Sequence, residues 1–430
     1  MIDLPRLGPR LIEHRLENGL RVVLLPDRSS SLVAINLWYH VGSKNDPPDR
    51  TGLAHLFEHM LFQGSQNVAA NEHFQFVQRA GGSTNASTSF DRTNYYETLP
   101  AHCLELGLWL ESDRLGFLLP ALAEEKFEGQ RSVVINERRQ RVENQPYGRA
   151  FETIQGALYP DNHPYGWPVI GFLEDIEATD LADVESFFRS YYNPANAVLS
   201  VVGDFEPSQA EQLVNQYFGD IPSPAPVPRP FAAEPESTQR REILLTDAVA
   251  LPRTYLTWRC PEHTRQKRYA GEILASVLSG GKSSPLYQDL VHQRQLAQDV
   301  TAFLLPMELA STFLLVATAK PGIELEAIEA RLAHHLTAIS SHPPRAEDLE
   351  RARNQVATGF FDDLQSVESL ADLLSRSATF FDDPATVDSE VSHYLDVQAT
   401  EISDFSKQYL SPESCVRLRV IPQGTEEGTE

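Results

Sequence analysis

Between Gly52 and Ser65 the chain reads G-L-A-H-L-F-E-H-M-L-F-Q-G-S, and this stretch constrains the fold and chemistry more than any other. Leu53, Leu56, Phe57, Met60 and Leu61 recur at helical spacing with no proline among them. An apolar helix should carry Leu or Val where this one carries His55, Glu58 and His59. Residues four apart share a helix face, so His55 and His59 can aim their imidazoles at one point. Glu58, three residues from His55 and beside His59, can bring its carboxylate to the edge of that point. Two neutral imidazoles suit a borderline cation such as zinc. A carboxylate next to an activated water is what a hydrolase needs to take a proton and later return it. A single histidine on an apolar helix is usually a satisfied core residue. Three ionisable groups in so short an apolar run are a different matter, because each costs energy to bury unpaired. The pattern needs a third ligand from elsewhere in the chain.

The 430 residues are 41% hydrophobic and 22% charged, enough material for more than one core, and a chain of this length divides into roughly two or three domains. Sixty acids against 36 bases give a formal net charge of −24, which argues against a nucleic-acid partner. Cys103, Cys260 and Cys415 are far apart and form no C-x-x-C pair, so the fold does not rely on disulfides. Cys103, among Leu104, Leu106 and Leu108, reads as a buried core thiol. No run approaches the ~20 apolar residues of a membrane span, and the first residues lack the apolar core of a signal peptide. As written the chain is expected to be soluble and cytoplasmic, or periplasmic if a leader has been removed.

In chain order, residues 11–42 read as three strands, with Asn18-Gly19 as a hairpin signal between the first two. His40 belongs to the third and reads as structural. A helix over 71–80 follows the His-Glu-His stretch and is stopped by Gly81-Gly82. His73 sits on its polar face and is expected to be solvated. The segment S-T-N-A-S-T-S-F-D-R-T-N-Y-Y-E-T-L-P then predicts two strands joined near Asp91-Arg92. Side chains as small as those of Asn85, Ala86, Ser87 and Thr88 leave a strand edge open, so an extended peptide could pair there; an ordinary surface hairpin has the same composition. Helices are expected from Cys103 to Arg114 and from Glu124 to about Glu143. On the latter, Phe127, Val134 and Glu137 form one stripe and place an acid where an apolar residue belongs. If this helix supplies the third ligand, Glu137 is the choice over Glu128 and Glu143, which lie off the stripe.

Taken together, H-x-x-E-H, then G-G-S-T-N-A-S-T-S-F-D-R-T-N-Y-Y, then a glutamate 78 positions beyond His59 in V-V-I-N-E-R-R resemble the pitrilysin family of inverted zinc peptidases. The chain is most similar to the shorter branch that includes the mitochondrial processing peptidase and bacterial two-subunit peptidases. The likeness continues through H-P-Y-G-W-P-V-I-G at 163–171 and N-A-V-L-S-V-V-G-D-F at 196–205, and more faintly into the second half. The resemblance implies that His55, His59 and Glu137 are zinc ligands and Glu58 the general base. It also implies that substrate backbone pairs with the strand around Asn85 to Thr88. Many relatives carry a glutamate seven residues before the third ligand; here that position is Gln130.

Five prolines in P-S-P-A-P-V-P-R-P-F make a stiff linker near 222–234, separating a zinc-bearing domain, 1–221, from a second domain, 235–430. The second half repeats the grammar of the first: strands, then R-Y-A-G-E-I-L-A-S-V-L-S-G-G where the first half has its His-Glu-His helix. It reads as a duplicated unit without the metal set. Gly281-Lys282-Ser283 lacks the spacing of a phosphate loop, and the adjacent His334 and His335 read as solvated. The expected fold class is α+β, with two homologous domains, each a mostly antiparallel sheet packed with helices. Catalytically complete relatives carry, in the second domain, an arginine and a tyrosine seven residues later that hold the substrate. The matching positions are Val291 and Gln298, which supply neither a guanidinium nor a phenol.

The resemblance therefore implies a zinc endopeptidase subunit cleaving peptides or unfolded segments in a closed chamber. It further implies a homologous second subunit that lends the Arg/Tyr pair, most simply as a heterodimer, with a homodimer also compatible. The reading from a different class is a non-catalytic assembly subunit, like the core proteins of respiratory complexes. Such chains usually have eroded metal motifs, whereas this one keeps all four residues.

Overall fold

The computed structural model describes residues 7–160, 163–223, 227–228, 240–264 and 266–424. The stretch 222–234, expected as the linker, lies mostly outside them. The described residues form two compact units, and the grouping does not follow a single cut in the chain. One unit is drawn from Met1–Arg138, Trp167–Phe231 and Phe361–Ser389, the other from Arg139–Gly166, Ala232–Phe360 and Glu390–Glu430.

The first unit is built on six strands: β1 (Ile12–Arg15), β2 (Arg21–Pro26), β3 (Leu32–Tyr39), β4 (Ser83–Thr88), β5 (Thr93–Pro100) and β6 (Ala197–Gly203), in the order β1-β2-β6-β3-β5-β4. The central strands are the apolar runs R-V-V-L-L-P and A-V-L-S-V-V-G, buried along almost their whole length as a strand covered on both faces must be. Four helices matter to the site: α1 (Leu53–Met60), α2 (Glu72–Arg79), α3 (Leu104–Phe117) and α4 (Glu124–Arg138). Helices α1, α2 and α3 pack on one face of the β4–β5 side of the sheet, while Val367–Phe381 packs on β3 and β6. β4 is an edge strand, its small polar side chains partly exposed.

The second unit has five strands, β7 (Arg241–Asp247), β8 (Arg253–Cys260), β9 (Ala297–Leu305), β10 (Ser311–Ala319) and β11 (Val416–Pro422), in the order β7-β11-β8-β10-β9. This is the topology of β2-β6-β3-β5-β4. β2 pairs parallel with β6 and β7 parallel with β11, and every other neighbouring pair in the two sheets is antiparallel. The helix Lys267–Ser279 falls between β8 and β9, as α1 falls between β3 and β4. Both sheets are thus mixed but mostly antiparallel, and both are packed with helices, which is the fold class read from the sequence.

Three expectations need correction. His73 is buried, 5% exposed, not solvated: its Nε2 lies 3.2 Å from Oε2 of Glu97. Cys103 is half-buried rather than fully buried, because it precedes the first turn of α3 instead of lying on its inner face. His335 is partly buried against Asp289, 2.9 Å away; only His334 is exposed.

Candidate metal centre

Helix α1 is amphipathic in an uncommon sense. Leu53, Ala54, Leu56, Phe57 and Met60 enter the core, and the remaining face carries His55, Glu58 and His59, all half-buried. Its start is fixed by a buried acid far from the usual cap position. Asp46 accepts the backbone N–H groups of Gly52 and Ala54, each at 2.8 Å, satisfying amides that a helix N-terminus otherwise leaves without partners. Gly52 adopts φ +88°, and a Cβ there would lie 2.4 Å from the Ile170 carbonyl oxygen, so no other residue fits this entry turn.

Helix α4 delivers the third group. Phe127 and Val134 are fully buried, and Glu137 completes their stripe at the helix's last turn. Its Oε2 lies 3.2 Å from His59 Nε2 and its Oε1 3.8 Å from His55 Nε2. The two imidazoles meet edge to face, centroids 4.9 Å apart. One donor atom from each of His55, His59 and Glu137 lies within 4.8 Å of the others. Donors bound at about 2.0–2.2 Å in a tetrahedral zinc site stand roughly 3–4 Å from one another, so this donor set fits zinc in both chemistry and spacing. The end of α4 is anchored next to the start of α1. Arg138 donates from Nη1 to the Gly171 carbonyl at 2.8 Å, and a Cβ on Gly171 (φ +82°) would stand 2.2 Å from the Thr51 carbonyl oxygen.

A second cluster, His73, Glu97 and Glu111, is also close enough to hold a cation, but Arg114 already occupies it. Its Nη2 is hydrogen-bonded to Glu111 and 3.1 Å from His73 Nε2. All four side chains are buried, so the guanidinium is the cation of that site. Burial pushes the Glu97 carboxyl well up and the His73 imidazole well down.

Glu58 lies within electrostatic reach of His59 and Glu137. Its Oε2 accepts the Thr88 hydroxyl at 2.5 Å. Burial raises its pKa, against the hydrogen bond from Thr88 and the nearby His59 and Arg92. Along β4, Ser87 pairs with Asn94 and Asn85 with Tyr96, and Ser89 N–H closes the hairpin on the Arg92 carbonyl. Alternation in an antiparallel ladder therefore turns the backbone groups of Thr84, Ala86 and Thr88 to the free edge. The Ala86 N–H is met there by Oδ1 of its neighbour Asn85 at 2.9 Å. Arg92, which sequence reasoning passed over, braces the hairpin from Nη1 to the Ser87 carbonyl at 2.7 Å and stacks over Trp38.

Val291 is half-buried in a π-helical turn, packed on the second unit's core, and Gln298 is exposed near the start of β9. Arg294, a nearby base, is held by Asp289 at 2.7 Å. Among the described residues no helix is long and apolar enough to cross a membrane.

A family model described as Insulinase (Peptidase family M16) matches residues 21–170, and one described as Peptidase M16 inactive domain matches 179–356. The chain is 29% identical over 398 residues to the zinc protease PqqE of Helicobacter pylori, covering 92% of this chain and 89% of that protein. It is 31% identical over 303 residues to an uncharacterized zinc protease of Mycobacterium bovis, covering 69% of this chain and 67% of that one. Among solved structures, a protease from Helicobacter pylori superposes with a TM-score of 0.91 at 28% identity, over 96% of this chain and 99% of that one. A peptidase M16 inactive domain from Pseudomonas fluorescens shares the fold, with a TM-score of 0.86 at 17% identity, over 96% and 98% of the two chains.

Proposed function

The chain belongs to peptidase family M16, and from that premise we propose that it is the metal-bearing subunit of a zinc-dependent endopeptidase. The observation that carries the reading is the meeting of His55, His59 and Glu137, from two helices far apart in sequence, beside a fourth ionisable group, Glu58. The chain's similarity to proteins named zinc proteases supports the choice of metal. Zinc held by these three side chains would lower the pKa of water at the site and polarise a carbonyl. Glu58 then takes the proton from the attacking water and hands it to the leaving amine. The peptide lies extended along β4, pairing with the outward backbone of Ala86 and Thr88. The Asn85 side chain, now on the Ala86 N–H, must yield that donor to a substrate carbonyl, while Ser87 faces the other side of the strand.

With Val291 and Gln298 at the positions where the resemblance places an arginine and a tyrosine, we propose that a homologous second subunit contributes that pair. The test of the peptidase reading is Glu58→Gln. It should retain zinc and lose cleavage of an unstructured peptide by about 10²–10⁴-fold. A variant that keeps wild-type turnover would refute the base assignment. A chain that binds no zinc and cleaves nothing, with or without the second subunit, would favour the assembly-subunit reading instead.

A further inference from the structure

Alternation along β4 turns the Thr88 side chain toward α1 while its backbone groups face the free edge. A threonine hydroxyl has one proton to donate, and here it goes to Oε2 of Glu58. Thr88 Oγ1 also lies 3.4 Å from Oγ1 of the fully buried Thr93, whose single hydroxyl proton goes to the Val41 carbonyl at 2.9 Å. The carboxylate is therefore gripped at one oxygen, and Oε1 is left to meet the reacting water. An ordinary strand threonine could satisfy itself on its own backbone or on water. This one reaches a desolvated acid 30 positions away.

We propose that Thr88 is a positioning residue for Glu58, fixing the carboxylate in the orientation from which it transfers a proton and tying that orientation to the strand on which the peptide pairs. The inference rests on the peptidase reading above. A single residue then faces both partners: its main chain meets the substrate and its side chain aligns the base. Pairing of a peptide along β4 and alignment of Glu58 become one event.

Thr88→Val keeps the β-branched shape and removes the hydroxyl; Thr88→Ser keeps the hydroxyl. With the zinc-loaded protein, in whatever assembly it purifies, and an internally quenched unstructured peptide, Thr88→Val should lower kcat by about 10–100-fold at unchanged KM, the signature of an interaction made in the transition state. Zinc content should not change, and Thr88→Ser should recover most of the rate. In a Glu58→Gln background Thr88→Val should have no further effect, because the two residues act as one unit. A crystal structure of zinc-loaded Thr88→Val should show the Glu58 carboxylate shifted or split between positions. Wild-type kcat in Thr88→Val overturns the proposal, as does a serine variant no better than the valine. Should the wild-type protein cleave no peptide with or without a homologous subunit carrying the Arg/Tyr pair, the peptidase reading fails, and the crystal structure alone decides the positioning claim: a displaced carboxylate upholds it and an unmoved one overturns it.

Discussion

Buried charge in the first unit is arranged in two different ways within neighbouring elements. At His55, His59 and Glu137 two imidazoles and a carboxylate are left partly open to solvent, as the proposed zinc site requires. At His73, Glu97, Glu111 and Arg114 the cation is built in and solvent is excluded. With one guanidinium against two carboxylates, burial raises the Glu97 and Glu111 carboxyls and lowers the His73 imidazole, and the Glu97 and His73 shifts each have a consequence for stability. The His73 pKa is depressed, so below about 6.5 the unfolded chain binds a proton that the folded chain does not, and stability falls as pH drops through that range. The Glu97 pKa is raised, so above about 4.3 the folded chain keeps a proton that the unfolded chain releases, and stability falls as pH climbs toward the folded value. Urea unfolding should show a shallower acid-side slope in His73→Gln than in wild type, and a shallower loss on the rising-pH side in Glu97→Gln. Slopes identical to wild type in both would refute this assignment of protons. None of this was legible in the sequence. His73 looks solvated because its helix is mostly polar, and the room for Glu97 comes from Gly107, where a Cβ would stand 2.5 Å from Oε1.

At the level of elements, the centre depends on how the start of α1 and the end of α4 are joined. Gly52, Thr51, Gly171 and Arg138 form that junction, and Gly171 combines left-handed φ with backbone contact on its Cβ side. Gly171→Ala should cost on the order of 1–3 kcal/mol in strain and move Glu137 relative to the two histidines. A weakening of zinc affinity by about 10–100-fold is the size expected when a ligand's support is lost. Thermal unfolding and zinc titration measure both, and wild-type values in each would remove the junction from the account. The helical spacing of α1, the acid on the α4 stripe, the hairpin at Asp91-Arg92 and the repeated order of elements were readable, because each is a local pattern. The Asp46 cap, the reach of Thr88 to Glu58 and the packing of Val367–Phe381 onto β3 and β6 were not, because each joins residues whose proximity only the folded chain creates. Resemblance supplied the pairing of α1 with α4 that periodicity left open.

For the whole molecule, one topology is used twice and the His-Glu-His helix occurs in one copy. The second sheet repeats the strand order of the first, yet Lys267–Ser279, the counterpart of α1, carries Tyr269, Glu272 and Ile273 where a metal helix would need paired imidazoles. The same unit offers Val291 and Gln298 in place of a guanidinium and a phenol. We therefore expect the isolated chain to cleave an unstructured peptide poorly and to gain at least an order of magnitude in kcat/KM when mixed with a homologous subunit carrying that pair, which is about 1.4 kcal/mol of transition-state binding. Full activity from the chain alone, at the same concentration, would contradict the lending of residues between subunits. Beneath that lies the claim on which the whole account depends, that two imidazoles and a carboxylate hold one zinc ion. Metal analysis of the purified wild-type chain beside His59→Ala and Glu137→Gln tests it most directly. The account predicts one zinc per wild-type chain and its loss in both variants. A folded wild-type chain that takes up no zinc, or variants that keep it, would contradict the account.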